Sequence, residues 1–100
     1  MWWERDGLEV MNGGVFFAGI DAARIAEKNG TPLYVYDGKR ISQNYQRFVN
    51  AFEGADREVR IHYAMKANSN RDVLTLLQTQ GAWIDAVSPY EVGRALECGF

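Results

Sequence analysis

The sequence predicts an α/β fold of parallel strands covered by helices, and three observations predict it. From residue 39 onward the hydrophobic period alternates between that of a helix and that of a strand, the elements are punctuated by glycine and proline, and the connections between them are short. Such alternation places successive strands side by side and parallel, with the intervening helices packed over them. Two strands do not complete a parallel sheet, so the 100 residues read as the opening quarter or so of a larger α/β enzyme. No internal repeat or low-complexity segment competes with this reading.

Residues 1–13 read as a loose lead-in, with adjacent tryptophans at Trp2 and Trp3, followed after Gly13-Gly14 by a short strand at Val15-Phe16-Phe17. Asp21 is a good N-cap for a helix over 21–29, whose small apolar face is Ala22, Ile25 and Ala26; Gly30 and Thr31-Pro32 stop it. Leu33-Tyr34-Val35-Tyr36, aromatic and β-branched between Pro32 and Asp37-Gly38, reads as a strand. Ile41, Tyr45, Phe48, Val49 and Phe52 then form one amphipathic stripe, predicting a helix over 39–53 that ends at Gly54.

The next strand covers 59–66, and its alternation assigns two faces. Val59, Ile61, Tyr63 and Met65 share one, and Arg60, His62, Ala64 and Lys66 share the other. A helix follows from Ser69 or Asn70, burying Val73, Leu74, Leu76 and Leu77 and stopping at Gly81. Residues 83–87 form the next strand. Ser88-Pro89-Tyr90-Glu91 has the capping-box pattern, and the last helix runs to about Cys98 with Val92, Ala95 and Leu96 inward. The chain stops at Cys98-Gly99-Phe100, directly after that helix, so its end reads as cut.

Composition removes several function classes. Eleven Lys and Arg against thirteen Asp and Glu give a net charge of −2, which offers no excess to neutralise a nucleic-acid backbone. No apolar run approaches the roughly 20 residues that span a bilayer, and the N-terminus lacks a signal-peptide pattern, so cytoplasmic residence is expected. A single cysteine, Cys98, allows neither an internal disulfide nor a thiolate zinc site, and no metal is expected; Cys98 itself reads as a small buried hydrophobe.

Lys66 is the candidate for chemistry. Position alone makes a strand-end lysine a residue that reaches solvent. Its surroundings argue for more: Tyr63-Ala64-Met65 before it and Ala67-Asn68-Ser69-Asn70 after it leave room for a ligand and supply uncharged hydrogen-bond groups. A desolvated lysine amine forms Schiff bases with aldehydes. Asp85 near Ser88-Pro89 also has a plain reading, as a turn cap. His62 lies deeper on the Lys66 face and reads as a core or barrel-interior histidine.

Gly30-Thr31-Pro32-Leu33-Tyr34-Val35-Tyr36, Tyr63-Ala64-Met65-Lys66-Ala67-Asn68-Ser69-Asn70 and Asp85-Ala86-Val87-Ser88 with Glu91 together resemble the amino-terminal part of the diaminopimelate decarboxylase family. The likeness extends over roughly residues 15–100, and the Tyr-Ala-x-Lys-Ala-Asn-Ser-Asn run is shared in outline with ornithine and arginine decarboxylases. The resemblance implies the opening portion of a (β/α)8 barrel over 37–100, with 1–36 a segment associated with a β-domain. It implies pyridoxal 5'-phosphate as cofactor, with Lys66 as the catalytic lysine that holds it and Ala64 and Asp85 beside it. It also implies a small amino-acid substrate, meso-diaminopimelate, converted to L-lysine and CO2 by a full-length homodimer. Tyr90 stands where many family members have glycine, and Met65 where they often have valine, on the helix-facing side. The phosphate-binding glycines and the remaining site residues are expected beyond Phe100. An arginine or ornithine decarboxylase, or a non-catalytic truncated remnant, are the alternatives. Because two parallel strands leave edges and faces uncovered, the isolated chain is expected to be marginally stable or prone to aggregate.

Overall fold

The computed structural model describes residues 5–100; Trp2, Trp3 and the rest of residues 1–4 of the expected lead-in lie outside the described residues. The chain divides into two compact units, Met1–Asp37 and Gly38–Phe100.

In the first unit, β1 (Leu8–Met11), β2 (Gly14–Phe17) and β3 (Ile20–Asp21) form an antiparallel sheet in chain order. Register pairs Met11 with Gly14 and Phe17 with Ile20, so each connection is a two-residue turn. The turn residues Asn12 and Gly13, and then Ala18 and Gly19, all have positive φ, the backbone of the hairpin turn whose twist matches its strands. The strand expected at Val15 to Phe17 is therefore the middle of a meander, and part of the supposed lead-in is β1. Helix α1 (Ala22–Asn29) follows at once. Asp21 Oδ1 accepts a hydrogen bond from the Ala23 amide at 2.9 Å, and the Gly30 amide donates to the Ala26 carbonyl at 2.7 Å. Residues 33–36 are not a strand, contrary to expectation. Their β-prone side chains have no ladder partner among the described residues, and propensity without a partner does not make a strand.

The second unit runs α2 (Gly38–Ala51), β4 (His62–Ala64), α3 (Arg71–Thr79), β5 (Trp83–Asp85) and α4 (Pro89–Glu97). Strands β4 and β5 are parallel, with His62 opposite Trp83, Tyr63 opposite Ile84 and Ala64 opposite Asp85. Both strands are shorter than their apolar runs, and among the described residues each pairs with the other alone. The Trp83 amide donating to the Ile61 carbonyl at 2.9 Å is the last bond at the entry end. Beyond Ala64 the chain tightens into a 3₁₀ turn, Met65–Ala67.

The alternation in β4 is realised. Met65 is fully buried with Leu74, Ala95 and Cys98, and Tyr63, Ile84 and Ala86 pack against that group. A second cluster, Val73, Leu77 and Ala82, receives Ile41 and Tyr45 from α2. Two residues of the five-residue stripe, Ile41 and Tyr45, are covered: Phe48 is 63% exposed, and Val49 and Phe52 are also exposed. Helix α4 turns Ala95 and Cys98 inward, whereas Val92 and Leu96, expected inside, face outward, with Leu96 65% exposed. The seven buried hydrophobic residues among those described all belong to this unit. No described helix is long and apolar enough to cross a membrane.

Candidate functional site

The site is built where β4 and β5 end. Ala64 and Asp85 are register partners, and side chains of paired residues share a sheet face. That face is opposite the one whose Tyr63 and Ile84 pack against the Met65 cluster. Towards its entry end it carries Trp83, with the Arg60 guanidinium carbon 4.3 Å from the ring centroid and the His62 ring centroid at 5.6 Å. His62 is exposed, its Nδ1 3.4 Å from the Ile84 carbonyl oxygen, so within these residues it is a surface group rather than a core one.

Lys66 lies in the turn directly after β4 and is exposed. The desolvation that favours a Schiff-base lysine is not supplied by the described residues. Its backbone, by contrast, is held on both sides. Before it, Met65 is locked in the core. After it, the Tyr63 hydroxyl donates to the Asn68 carbonyl at 2.9 Å, bridging the turn that contains Lys66. Asn68 Oδ1 accepts from the Asn70 amide at 2.9 Å, and Asn70 Oδ1 accepts from the Asp72 amide at 2.9 Å, capping α3. Three uncharged side chains, Tyr63, Asn68 and Asn70, thus shape the loop, as the amide-rich sequence suggests.

Asp85 is exposed, and it does not cap the turn that follows. That task falls to Ser88, whose Oγ accepts from the Glu91 amide at 3.1 Å, and to Glu91, whose Oε1 accepts from the Val87 amide at 3.4 Å. The plain reading of Asp85 is therefore not what the structure displays, and its carboxylate is left at the strand end beside Ala64. Sequence reasoning missed Arg94. Its Nε donates to the Ser69 carbonyl at 2.6 Å and its Nη1 to the Tyr90 hydroxyl at 3.4 Å. The only sequence signal was a cation next to the inward position Ala95 on the last helix.

Residues 38–100 match the family described as pyridoxal-dependent decarboxylase, pyridoxal-binding domain. The chain belongs to that family. A diaminopimelate decarboxylase from Methanothermobacter thermautotrophicus is 46% identical over 88 residues, 88% of this chain and 21% of that protein. One from Bacillus subtilis is 38% identical over 89 residues, 89% of this chain and 20% of that protein. The crystal structure of the Methanocaldococcus jannaschii diaminopimelate decarboxylase in complex with L-lysine superposes with a TM-score of 0.86 at 38% identity, covering 93% of this chain and 22% of that one. The chain thus spans about a fifth of the length of the relatives it matches.

The residues present fit the aldehyde end of the family's cofactor, pyridoxal phosphate. Lys66 is a primary amine with no ion pair among the described residues, Ala64 carries the smallest side chain short of glycine, and Asp85 adds a carboxylate.

Proposed function

We propose that the protein carrying this chain decarboxylates meso-diaminopimelate to L-lysine and CO2, with Lys66 as its catalytic lysine. The observation that carries this reading is the exposed Lys66 at the carboxyl end of a parallel strand, its flanking backbone pinned on both sides. Parallel strands place reacting groups at that end, where loops leave space for a ligand. The order β4, α3, β5, α4 supports reading 37–100 as the first βα units of a (β/α)8 barrel, with 1–36 a segment associated with a β-domain. A cytoplasmic homodimer is part of the same proposal, supported by the resemblance to biosynthetic decarboxylases.

Lys66 Nζ would hold the cofactor's aldehyde carbon, Ala64 would leave space beside it, and Asp85 would set a negative charge at the neighbouring strand end. When bound, pyridoxal phosphate supplies an electron sink for the pair left on the substrate carbon as CO2 departs. The Lys66 amine, when not engaged in holding that group, would be available at Nζ to move a proton. The lost carboxylate is replaced by one proton, which balances the reaction.

The test is CO2 release by the protein carrying this chain, loaded with pyridoxal phosphate, from meso-diaminopimelate, arginine and ornithine in parallel. Release from meso-diaminopimelate alone, abolished by Lys66→Ala, is the expected result. Preferred release from arginine or ornithine would reassign the substrate, and full activity in Lys66→Ala would remove Lys66 from the mechanism.

A further inference from the structure

We propose that Arg94 is a positioning residue for Lys66, acting through the carbonyl of Ser69. The inference rests on the reading of Lys66 given above. The 3₁₀ turn that carries Lys66 is fixed upstream by Met65, which is sealed in the core, so its freedom lies downstream in residues 67–70. The bonds to Asn68 and Asn70 come from within residues 63–70 or from the first turn of α3. One bond comes from further away: Arg94, on α4, donates Nε to the Ser69 carbonyl at 2.6 Å, 25 residues away in sequence. A charged donor to a carbonyl is a short and strong kind of hydrogen bond, and a guanidinium has further donors to spare. One of these reaches the Tyr90 hydroxyl at 3.4 Å, bracing the side chain along α4.

The same helix meets the start of α3 at two more points. Glu97 pairs with Arg71 at 2.6 Å, and Cys98 Sγ lies 4.0 Å from the Arg71 carbonyl oxygen. Those contacts tie helix to helix. Arg94 alone of the three reaches the loop between the lysine and the helix, so it governs where the Lys66 backbone rests once α3 is in place. A lysine that must meet an aldehyde carbon in one geometry gains from a backbone that does not wander.

The experiment follows the visible absorption of the lysine-bound cofactor in the protein carrying this chain, measuring its rate of appearance, its retention on dilution and the pH midpoint of the band. Arg94→Met is expected to slow loading about tenfold, the scale of one charge-assisted bond, and to displace the midpoint. Arg94→Lys, which keeps a charged donor on a single nitrogen, should recover most of the rate. Glu97→Gln, on the same helix but away from the loop, should load as the parent does. Parent-like loading and midpoint in Arg94→Met overturn the proposal, as does an equal loss in Glu97→Gln. Should Arg94→Met fail to fold, Tyr90→Phe decides, since Tyr90 is 73% exposed and its hydroxyl braces the guanidinium: slowed loading supports the proposal and parent loading overturns it. A band that persists in Lys66→Ala sinks the underlying assignment of Lys66 itself, a failure distinct from that of Arg94.

Discussion

Met65, Lys66 and Ala67 occupy one turn yet answer to different surroundings. Met65 is 0% exposed, while its two neighbours face solvent. Period-2 alternation along 59–66 makes the division between Met65 and Lys66 legible in the sequence, because it sends every second side chain to the core; the exposure of Ala67, which has the parity of Met65, comes from the 3₁₀ turn. The alternation says nothing about what pins the loop afterwards. The Tyr63 hydroxyl was hidden inside an apolar face, and Arg94 acts across 25 residues of sequence, a distance over which no local pattern runs. Removing the hydroxyl with Tyr63→Phe keeps the ring in the core but deletes its bond to the Asn68 carbonyl. The expected cost is about 0.5–1.5 kcal/mol, read as a lower denaturant midpoint, together with slower cofactor loading at Lys66. An unchanged midpoint and rate would mean that the bridge over the turn holds nothing.

Helices were the easiest elements to read because their ends carry chemistry: Asp21, Asn70 and Ser88 each accept backbone amides as N-caps. Strands were harder. The Asn12-Gly13 pair between Met11 and Gly14 was a hairpin signal that went unused, so β1 was absorbed into a lead-in. Residues 33–36 erred the other way, since β-prone side chains mark a surface that fits a sheet only where a neighbour exists. Between α3 and α4, packing outweighs charge. Met65→Ala leaves a void among Leu74, Ala95 and Cys98 and is expected to cost about 2–5 kcal/mol by chemical denaturation. The exposed Arg71 and Glu97 pair, despite its 2.6 Å separation, is worth no more than about 1 kcal/mol. A Met65→Ala variant as stable as its parent would mean that the turn is not anchored through the core.

At the scale of the whole molecule, apolar surface left over is as informative as the core. Phe48 and Val49 on α2, Phe52 just after it, and Val92 and Leu96 on α4 are exposed, and Trp83 on the sheet is 48% exposed. Alternation of helix and strand was enough to announce parallel α/β order, since each half of a βα unit leaves its own period in the sequence. What covers these faces was not legible, because a stripe states that it is buried and not against what. The 100-residue chain alone is therefore expected to melt broadly and to bind a hydrophobic dye before it melts. A single sharp two-state transition with no dye binding would show that these faces need no cover.

The central claim is that Lys66 is the lysine built to hold pyridoxal phosphate. The most direct measurement is to load the protein carrying this chain with the cofactor, reduce it with borohydride and locate the pyridoxyl group by peptide mass spectrometry. The account predicts label on Lys66 far above Lys28 and Lys39, the other lysines of the chain. Label spread evenly over the three, or absent from Lys66, would contradict it.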